Sequence, residues 1–174
     1  METVHFAKTS TPIGMLRVAS TERGLAYLEL PHHSGRGLRG WLERHLPGAR
    51  CVDAIDPNKP VIEQIFQYLE EDRVDFEVPL DLRGTAFQHE VWNALRDIPY
   101  GESCSYADIA RRIGRPRATR AVGSANNANP VALIVPCHRV IAADGKLGGY
   151  GGGVELKKRL LAMERSRACS GRLL

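Results

Sequence analysis

Ser105-Tyr-Ala-Asp-Ile-Ala-Arg-Arg-Ile-Gly-Arg-Pro-Arg-Ala-Thr-Arg-Ala-Val-Gly-Ser-Ala-Asn-Asn-Ala128 reads as two short helices joined by a tight turn. Ser105 and Asp108 have the spacing at which an N-cap hydroxyl and a side chain one turn on satisfy the first free amides of a helix. Tyr106, Ile109, Ala110 and Ile113 follow at i, i+3, i+4 and i+7, which makes one apolar face. Gly114 and Pro116 stop this helix. A second, from about Arg117 to Ala128, is built largely of small residues, among them Ala118, Ala121, Gly123, Ser124, Ala125 and Ala128. Two short helices across a glycine-containing turn form a helix-turn-helix.

A generic helical hairpin is the plainer alternative, and charge argues against it. Arg111, Arg112, Arg115, Arg117 and Arg120 crowd together, and no acid occurs from Ile109 to Ala143. Residues 1–84 hold 10 Lys/Arg against 13 Asp/Glu, a balance of −3, while residues 85–174 hold 14 against 7, or +7. The net +4 of the 174-residue chain hides this contrast. A basic half points to a polyanionic partner. On the second helix, Arg117 and Arg120 stand among Ala121, Gly123 and Ser124, side chains small enough to let a phosphate backbone approach.

Next comes Val131-Ala-Leu-Ile-Val-Pro-Cys-His-Arg-Val140. Five apolar residues, several β-branched, predict a short strand buried on both faces and stopped by Pro136. Cys137 is then expected at or near a helix N-terminus, where the backbone dipole favours thiolate, with His138 and Arg139 adding positive charge. A cysteine is more often an inert, packed residue. The Pro-Cys-His-Arg context points instead to a nucleophile with a base beside it.

The rest of the chain frames this segment. Gly14-Met-Leu-Arg-Val-Ala19 and Leu25-Ala-Tyr-Leu-Glu-Leu30 predict strands joined by a turn at Thr21–Gly24. Residues 34–46 and Val61, Ile62, Ile65, Phe66 and Leu69 have helical spacing. Phe76–Gly84 reads as a connection, which gives two predicted domains, residues 1–80 and 81–174. Thr85-Ala-Phe-Gln88 has the form of a capping box, opening a helix that ends before Pro99. Asp144–Gly153, with six glycines of which five directly flank Tyr150, lacks the order of a nucleotide-binding loop and fits the edge of a pocket better than a linker. The closing helix, Glu155–Glu164, shows an apolar face of Leu156, Leu160 and Met163; Glu164 taken alone reads as a surface acid.

Some classes fall away on composition. No run is long and apolar enough to span a membrane, and Met1-Glu-Thr-Val-His has no signal-peptide character, so the expectation is a cytoplasmic protein. Cys51, Cys104, Cys137 and Cys169 are scattered, with no CxxC, so neither a disulfide framework nor a zinc site is expected. His32, His33 and His45 lack partners at metal-ligand spacing and read as surface residues.

Ile134-Val-Pro-Cys-His-Arg-Val140 resembles the active-site signature of the O6-alkylguanine-DNA alkyltransferases, and the resemblance runs through the C-terminal half. It implies an α+β protein: an N-terminal α/β, RNase H-like scaffold followed by a mostly helical winged helix-turn-helix domain. Cys137 is implied as the alkyl acceptor and His138 as the base, acting through a water and oriented by Glu164. Asn129, before Pro130, resembles the hinge asparagine that braces the reactive turn. Tyr106 resembles the residue that turns the nucleotide outward and donates to the base. Arg120, in Thr-Arg-Ala-Val-Gly123, resembles the finger that fills the vacated stack. Val140, Tyr150, Gly151 and Ala132 are implied pocket residues.

Gly151 stands where some relatives have serine and Ala132 where some have proline, which implies a roomier pocket. The N-terminal cysteines that bind zinc in some relatives are missing, so no metal and no cofactor are expected. The implied activity is direct-reversal DNA repair, a single irreversible transfer from O6-alkylguanine in double-stranded DNA to Cys137 after base flipping, with O4-alkylthymine left open. The expected protein is a monomer away from membranes, with cooperative binding along DNA left open. Two rivals remain: a cysteine hydrolase, which leaves Arg120 and the acid-free segment without a purpose, and a DNA-binding module without chemistry, which does not need Cys137, His138 and Glu164 together.

Overall fold

A computed structural model describes residues 1–33 and 35–172. The chain divides into two compact units, Met1–Arg83 and Gly84–Leu174. The architecture is α+β, with a sheet in the first unit and a mainly helical second unit.

In the first unit, β1 (Thr3–Thr11), β2 (Gly14–Thr21), β3 (Gly24–Glu29) and β4 (Arg50–Asp53) form one sheet in the order β3-β2-β1-β4. β1–β2 and β2–β3 are antiparallel, and β1–β4 is parallel. The predicted hairpin is present; β1 and β4 are strands that the sequence pattern did not single out. Helix α1 (Gly37–His45) lays Leu38 and Trp41 on a cluster with Val4, Ala19, Ala26 and Tyr27. Ser34, the first residue of the helix expected there, lies outside the described residues. Helix α2 (Lys59–Leu69) buries Val61, Ile62, Ile65 and Tyr68. The buried Asn58 side chain accepts from Ser20 Oγ at 2.7 Å and donates to the His5 and Ala54 carbonyls at 3.1 Å each, pinning the turn before α2.

The segment read as a connection is partly built into this sheet. Leu25 N–H donates to Pro79 O at 2.9 Å, and Asp81 N–H donates to Leu25 O at 2.8 Å. Gly24, at φ +143°, permits the approach, because a β-carbon there would stand 2.3 Å from Pro79 O.

In the second unit, α3 (Ala86–Arg96), α4 (Tyr106–Arg112) and α5 (Thr119–Asn127) pack together. Both expected capping boxes form. Thr85 accepts from Gln88 N–H at 3.1 Å and Gln88 Oε1 accepts from Thr85 N–H at 2.9 Å; Ser105 and Asp108 reciprocate at 3.1 and 2.8 Å. Helices α4 and α5 are the helix-turn-helix, with Gly114 at φ +73° in the turn. Trp92, 1% exposed, donates its indole N–H to Ala125 O at 2.9 Å and ties α3 to α5. Strands β5 (Cys104–Ser105) and β6 (Val140–Ile141) pair in parallel, and α6 (Val154–Arg172) closes the unit. No helix of the described residues is long and apolar enough to cross a membrane.

One expected element is absent. Val131–Val135 is buried as predicted but is a turn rather than a strand. Val135 N–H donates back to Val131 O at 3.0 Å, and Leu133 sits at φ +73°. Asn129 closes the loop, donating from Nδ2 to Val135 O at 2.8 Å and accepting from Val131 N–H at 3.0 Å. A side chain that satisfies both ends of a five-residue run removes the need for a neighbouring strand.

Replacing Thr85 or Ser105 by alanine removes one N-cap and is expected to cost about 1 kcal/mol of stability in each case. Urea unfolding of the two single variants against wild type measures this; midpoints unchanged in both would show that the caps do not hold the helices.

Candidate active site

Cys137 lies directly after the Asn129-braced turn, at the start of a single 3-10 turn, Cys137–Arg139. The expected helix N-terminus is therefore corrected to three residues, too few aligned peptides for a sizeable dipole. Cys137 is 6% exposed. Burial pushes its thiol up, while the Asn129 side chain, Lys157 and the backbone amides of Cys137 and His138 pull the other way. The net direction is upward, so the resting group is a thiol rather than the thiolate expected from the positive neighbourhood.

His138 and Glu164 have no exposed surface, and Nε2 of His138 stands 2.8 Å from Glu164 Oε1. Burial holds the imidazole below its ordinary range, with Glu164 opposing and Arg139 and Lys157 reinforcing the shift. Burial resists ionisation of Glu164, yet the hydrogen bonds from His138 and Arg139 overcome it and bring the carboxyl down to about 2. Glu164, read in isolation as a surface acid, is thus an interior anion.

Two further charged residues belong to this cluster. Arg139 donates from Nε to Glu164 Oε2 and from Nη2 to Oε1, both at 2.9 Å, and from Nη1 to Ile98 O at 2.8 Å. Lys157, fully buried, donates to the carbonyls of Val140, at 2.6 Å, and Leu147. Sequence reasoning gave Lys157 no role and Arg139 only a general positive charge. The missed signal is spacing. Lys157, Leu160, Leu161 and Glu164 fall at i, i+3, i+4 and i+7, and all four are buried. The buried stripe of α6 is therefore rotated from the predicted one, since Leu156 and Met163 are only partly buried.

The remaining candidates divide into two groups. Tyr106, on the first turn of α4, is pushed up by burial and by the nearby Cys137, so it holds its proton at neutral pH. Tyr150 packs edge-on to His138 with ring centres 6.4 Å apart, and its hydroxyl is buried with no hydrogen-bond partner among the described residues. Val140 is buried with its carbonyl on Lys157, and Ala132 is buried in the Asn129 turn. Gly151 is exposed, and a β-carbon there would meet nothing within 4 Å, so it lines no closed wall.

The second group is on the helix-turn-helix. Arg117, Arg120, Ala121 and Ser124 are exposed. Gly123 turns inward, and a β-carbon on it would lie 3.9 Å from the Tyr106 ring, which links the helix to the site. The five arginines are not equivalent. Arg111 pairs with Asp108, while Arg115 pairs with Glu90 at 3.2 Å and lies 5.7 Å over the Phe87 ring. Arg112, Arg117 and Arg120 make no ion pair among the described residues. Among those residues, no three His, Cys, Asp or Glu side chains are grouped to hold a metal ion.

Residues 4–82 match the 6-O-methylguanine DNA methyltransferase, ribonuclease-like domain, and residues 86–166 match the 6-O-methylguanine DNA methyltransferase, DNA binding domain. The chain is 45% identical over 167 residues to the methylated-DNA--protein-cysteine methyltransferase of Mycobacterium tuberculosis, covering 95% of this chain and 94% of that one. It is 47% identical over 148 residues to the inducible protein of the same name from Bacillus subtilis, covering 85% and 83%. A crystal structure of Mycobacterium tuberculosis OGT in complex with DNA superposes with a TM-score of 0.80, at 44% identity and 94% of both chains.

Because the folded carboxyl of Glu164 lies below its ordinary 4.5, at about 2, its contribution to stability is complete above about pH 5 and is lost as pH falls through about 2. Glu164→Gln is expected to flatten the acid limb of the stability curve by up to about one bound proton. Denaturant midpoints between pH 2 and 6 check it, and parallel acid limbs for the two proteins would refute the buried anion.

Proposed function

The chain belongs to the 6-O-methylguanine DNA methyltransferase family, and from that premise we propose that it repairs DNA by direct reversal, taking the alkyl group of O6-alkylguanine onto Cys137. The observation that carries the assignment is the buried sequence of contacts in which Cys137 adjoins His138 and His138 is held by Glu164.

With the Nε2 proton directed at Glu164, Nδ1 of His138 carries the lone pair, so the neutral ring can take the thiol proton through a water. The sulfur then attacks the alkyl carbon in line. A bond from carbon to sulfur forms as the bond from carbon to O6 breaks, and the guanine leaves with a proton from Tyr106 or solvent. The product is an S-alkyl thioether, with no carbonyl through which water could restore the thiol. One molecule therefore repairs one lesion. The added methyl must fit beside a packed turn, so the alkylated protein is less stable than the free one.

A guanine in a duplex cannot reach a buried sulfur, so it must leave the stack, at a cost of a few kcal/mol. Arg120, exposed on α5 and without an ion pair among the described residues, is the side chain to fill the gap. Arg117, Ala121, Gly123 and Ser124 form the surface that meets the backbone. Val140, Ala132, Tyr150 and Gly151 border the base, to which the buried Tyr150 hydroxyl, without a hydrogen-bond partner among the described residues, can offer a hydrogen bond. Asn129 acts by fixing the turn before Cys137. The substrate is double-stranded DNA, met by a monomer.

Mixed with excess duplex carrying one O6-methylguanine, the wild type should gain a single methyl on the peptide containing Cys137 and then stop, while Cys137→Ser gains none. Intact mass and peptide mapping decide this. Binding without a mass change would leave a lesion sensor, and repair of more duplex than protein would indicate a turning-over enzyme. For binding itself, Arg117→Gln should lower the log–log salt slope by about one, whereas Arg115→Gln, whose guanidinium is held by Glu90 and Phe87, should leave it unchanged. Equal slopes for the two variants would overturn the division of the arginines.

A further inference from the structure

Arg139 is 7% exposed, and its hydrogen bonds to Glu164 and Ile98 lie inside the second unit. Its Nε and Nη2 grip the two oxygens of Glu164 separately, in the fork geometry that only arginine offers a carboxylate. Nη1 anchors on Ile98 O, and the guanidinium carbon lies 5.6 Å from the Tyr100 ring centre. Glu164 Oε1 is shared: His138 approaches it at 2.8 Å and Arg139 at 2.9 Å. The amide of Gly101 reaches Oε2 at 3.4 Å.

This sharing has a chemical consequence. A lone buried carboxylate at 2.8 Å from an imidazole favours the imidazolium strongly. An imidazolium has no lone pair with which to take a thiol proton. We propose that Arg139 is a positioning residue for the alkyl transfer: it clamps Glu164 from the far side and balances the carboxylate charge, so that His138 is oriented by an acid yet remains an uncharged proton acceptor for Cys137.

The inference rests on the reading of Cys137 as the alkyl acceptor. The charged and titratable groups around His138 agree with it. Cys137 and Arg139 come from its own turn, Lys157 and Glu164 from α6, Tyr150 from the loop before α6, and Tyr106 faces Cys137 from α4. Besides burial, which opposes charge, Arg139 and Lys157 oppose a charged ring while Glu164 favours it.

The test is an NMR titration of 13C-histidine-labelled full-length protein without DNA, the His138 signal being assigned by its loss in His138→Gln. In the wild type the ring should stay neutral to below its ordinary range. In Arg139→Met its midpoint should rise by about one unit or more, the usual effect of losing a like charge beside a buried group. Arg139→Lys, which keeps the charge without the fork, should return the midpoint to within about half a unit of wild type while still melting lower. The double variant Arg139→Met with Glu164→Gln replaces the pair by neutral groups of similar size, a change buried sites tolerate, and should also titrate near wild type.

An unchanged midpoint in Arg139→Met would reduce Arg139 to a structural tie. If that variant does not fold, the double variant decides, and a midpoint falling by more than about one unit below wild type would show that Glu164 acts as an unbalanced anion and overturn the proposal. Transfer rates on the O6-methylguanine duplex complete the test: Arg139→Met should be slowed at neutral pH and recover as pH rises. Failure of the wild type to gain a methyl would end the alkyl-transfer reading alone, because the titration reads His138 without any transfer.

Discussion

The ionised carboxylate of Glu164, with no exposed surface, is the constraint around which the second unit is arranged. Taking a carboxylate out of water costs several kcal/mol unless partners in good geometry surround it. Here the partners come from separate places: His138 and Arg139 from the cysteine turn and the Gly101 amide from the segment after α3. Arg139 extends the network to Ile98 O. One anion on α6, with Arg139, thereby ties the turn that carries Cys137 to the segment that follows α3. The contacts that hold the fold at this point are the same contacts that orient the base.

A second constraint acts from the other side of the cysteine. Asn129 uses its carbonyl on Val131 N–H and its amide on Val135 O, folding an apolar run back on itself just before Pro136. The sequence made the burial of Val131–Val135 plain but not its shape. Short apolar runs do not distinguish strand from turn by periodicity, and the deciding group lies two residues outside the run. Likewise, Pro136 announces a change of direction without saying that only one 3-10 turn follows. The capping boxes at Thr85 and Ser105 were legible because both partners of each bond lie within four residues. Strand β4 was not legible: its four residues alternate weakly, and its register is set by pairing with β1, far away in sequence.

The same distinction between local and distant partners runs through the site. Cys137, His138 and the basic helix-turn-helix stand out in the sequence because their chemistry is packed into adjacent residues. Glu164 and Lys157 do not, since charged residues on a terminal helix ordinarily face water. Their burial could still have been read from α6, where Lys157, Leu160, Leu161 and Glu164 make a continuous stripe, had charge not been used to exclude positions from it. Among the arginines the failure is of the opposite kind. By charge alone the five could not be ranked, and only the family resemblance set Arg120 and Arg117 apart; in the structure Glu90 and Phe87 take Arg115, and Asp108 takes Arg111. A positive patch counts only the cations that the fold leaves uncommitted.

The resting charge states follow from this burial. The positive neighbourhood alone would favour a standing thiolate; desolvation outweighs it, leaving Cys137 as a thiol and His138 as a neutral ring. For a nucleophile that is consumed on first use, this arrangement has a physical advantage. The thiolate is the form that oxidants and stray alkylating agents attack. Under the proposed transfer, a buried thiol beside a neutral, oriented base would give up its proton only when a flipped base brings the alkyl carbon within reach. Reactivity is then coupled to the arrival of the substrate rather than maintained in its absence. On this proposal the high resting affinity of Cys137 for its proton would contribute to the reaction's selectivity, and the buried Glu164–Arg139 pair would keep it compatible with a neutral base.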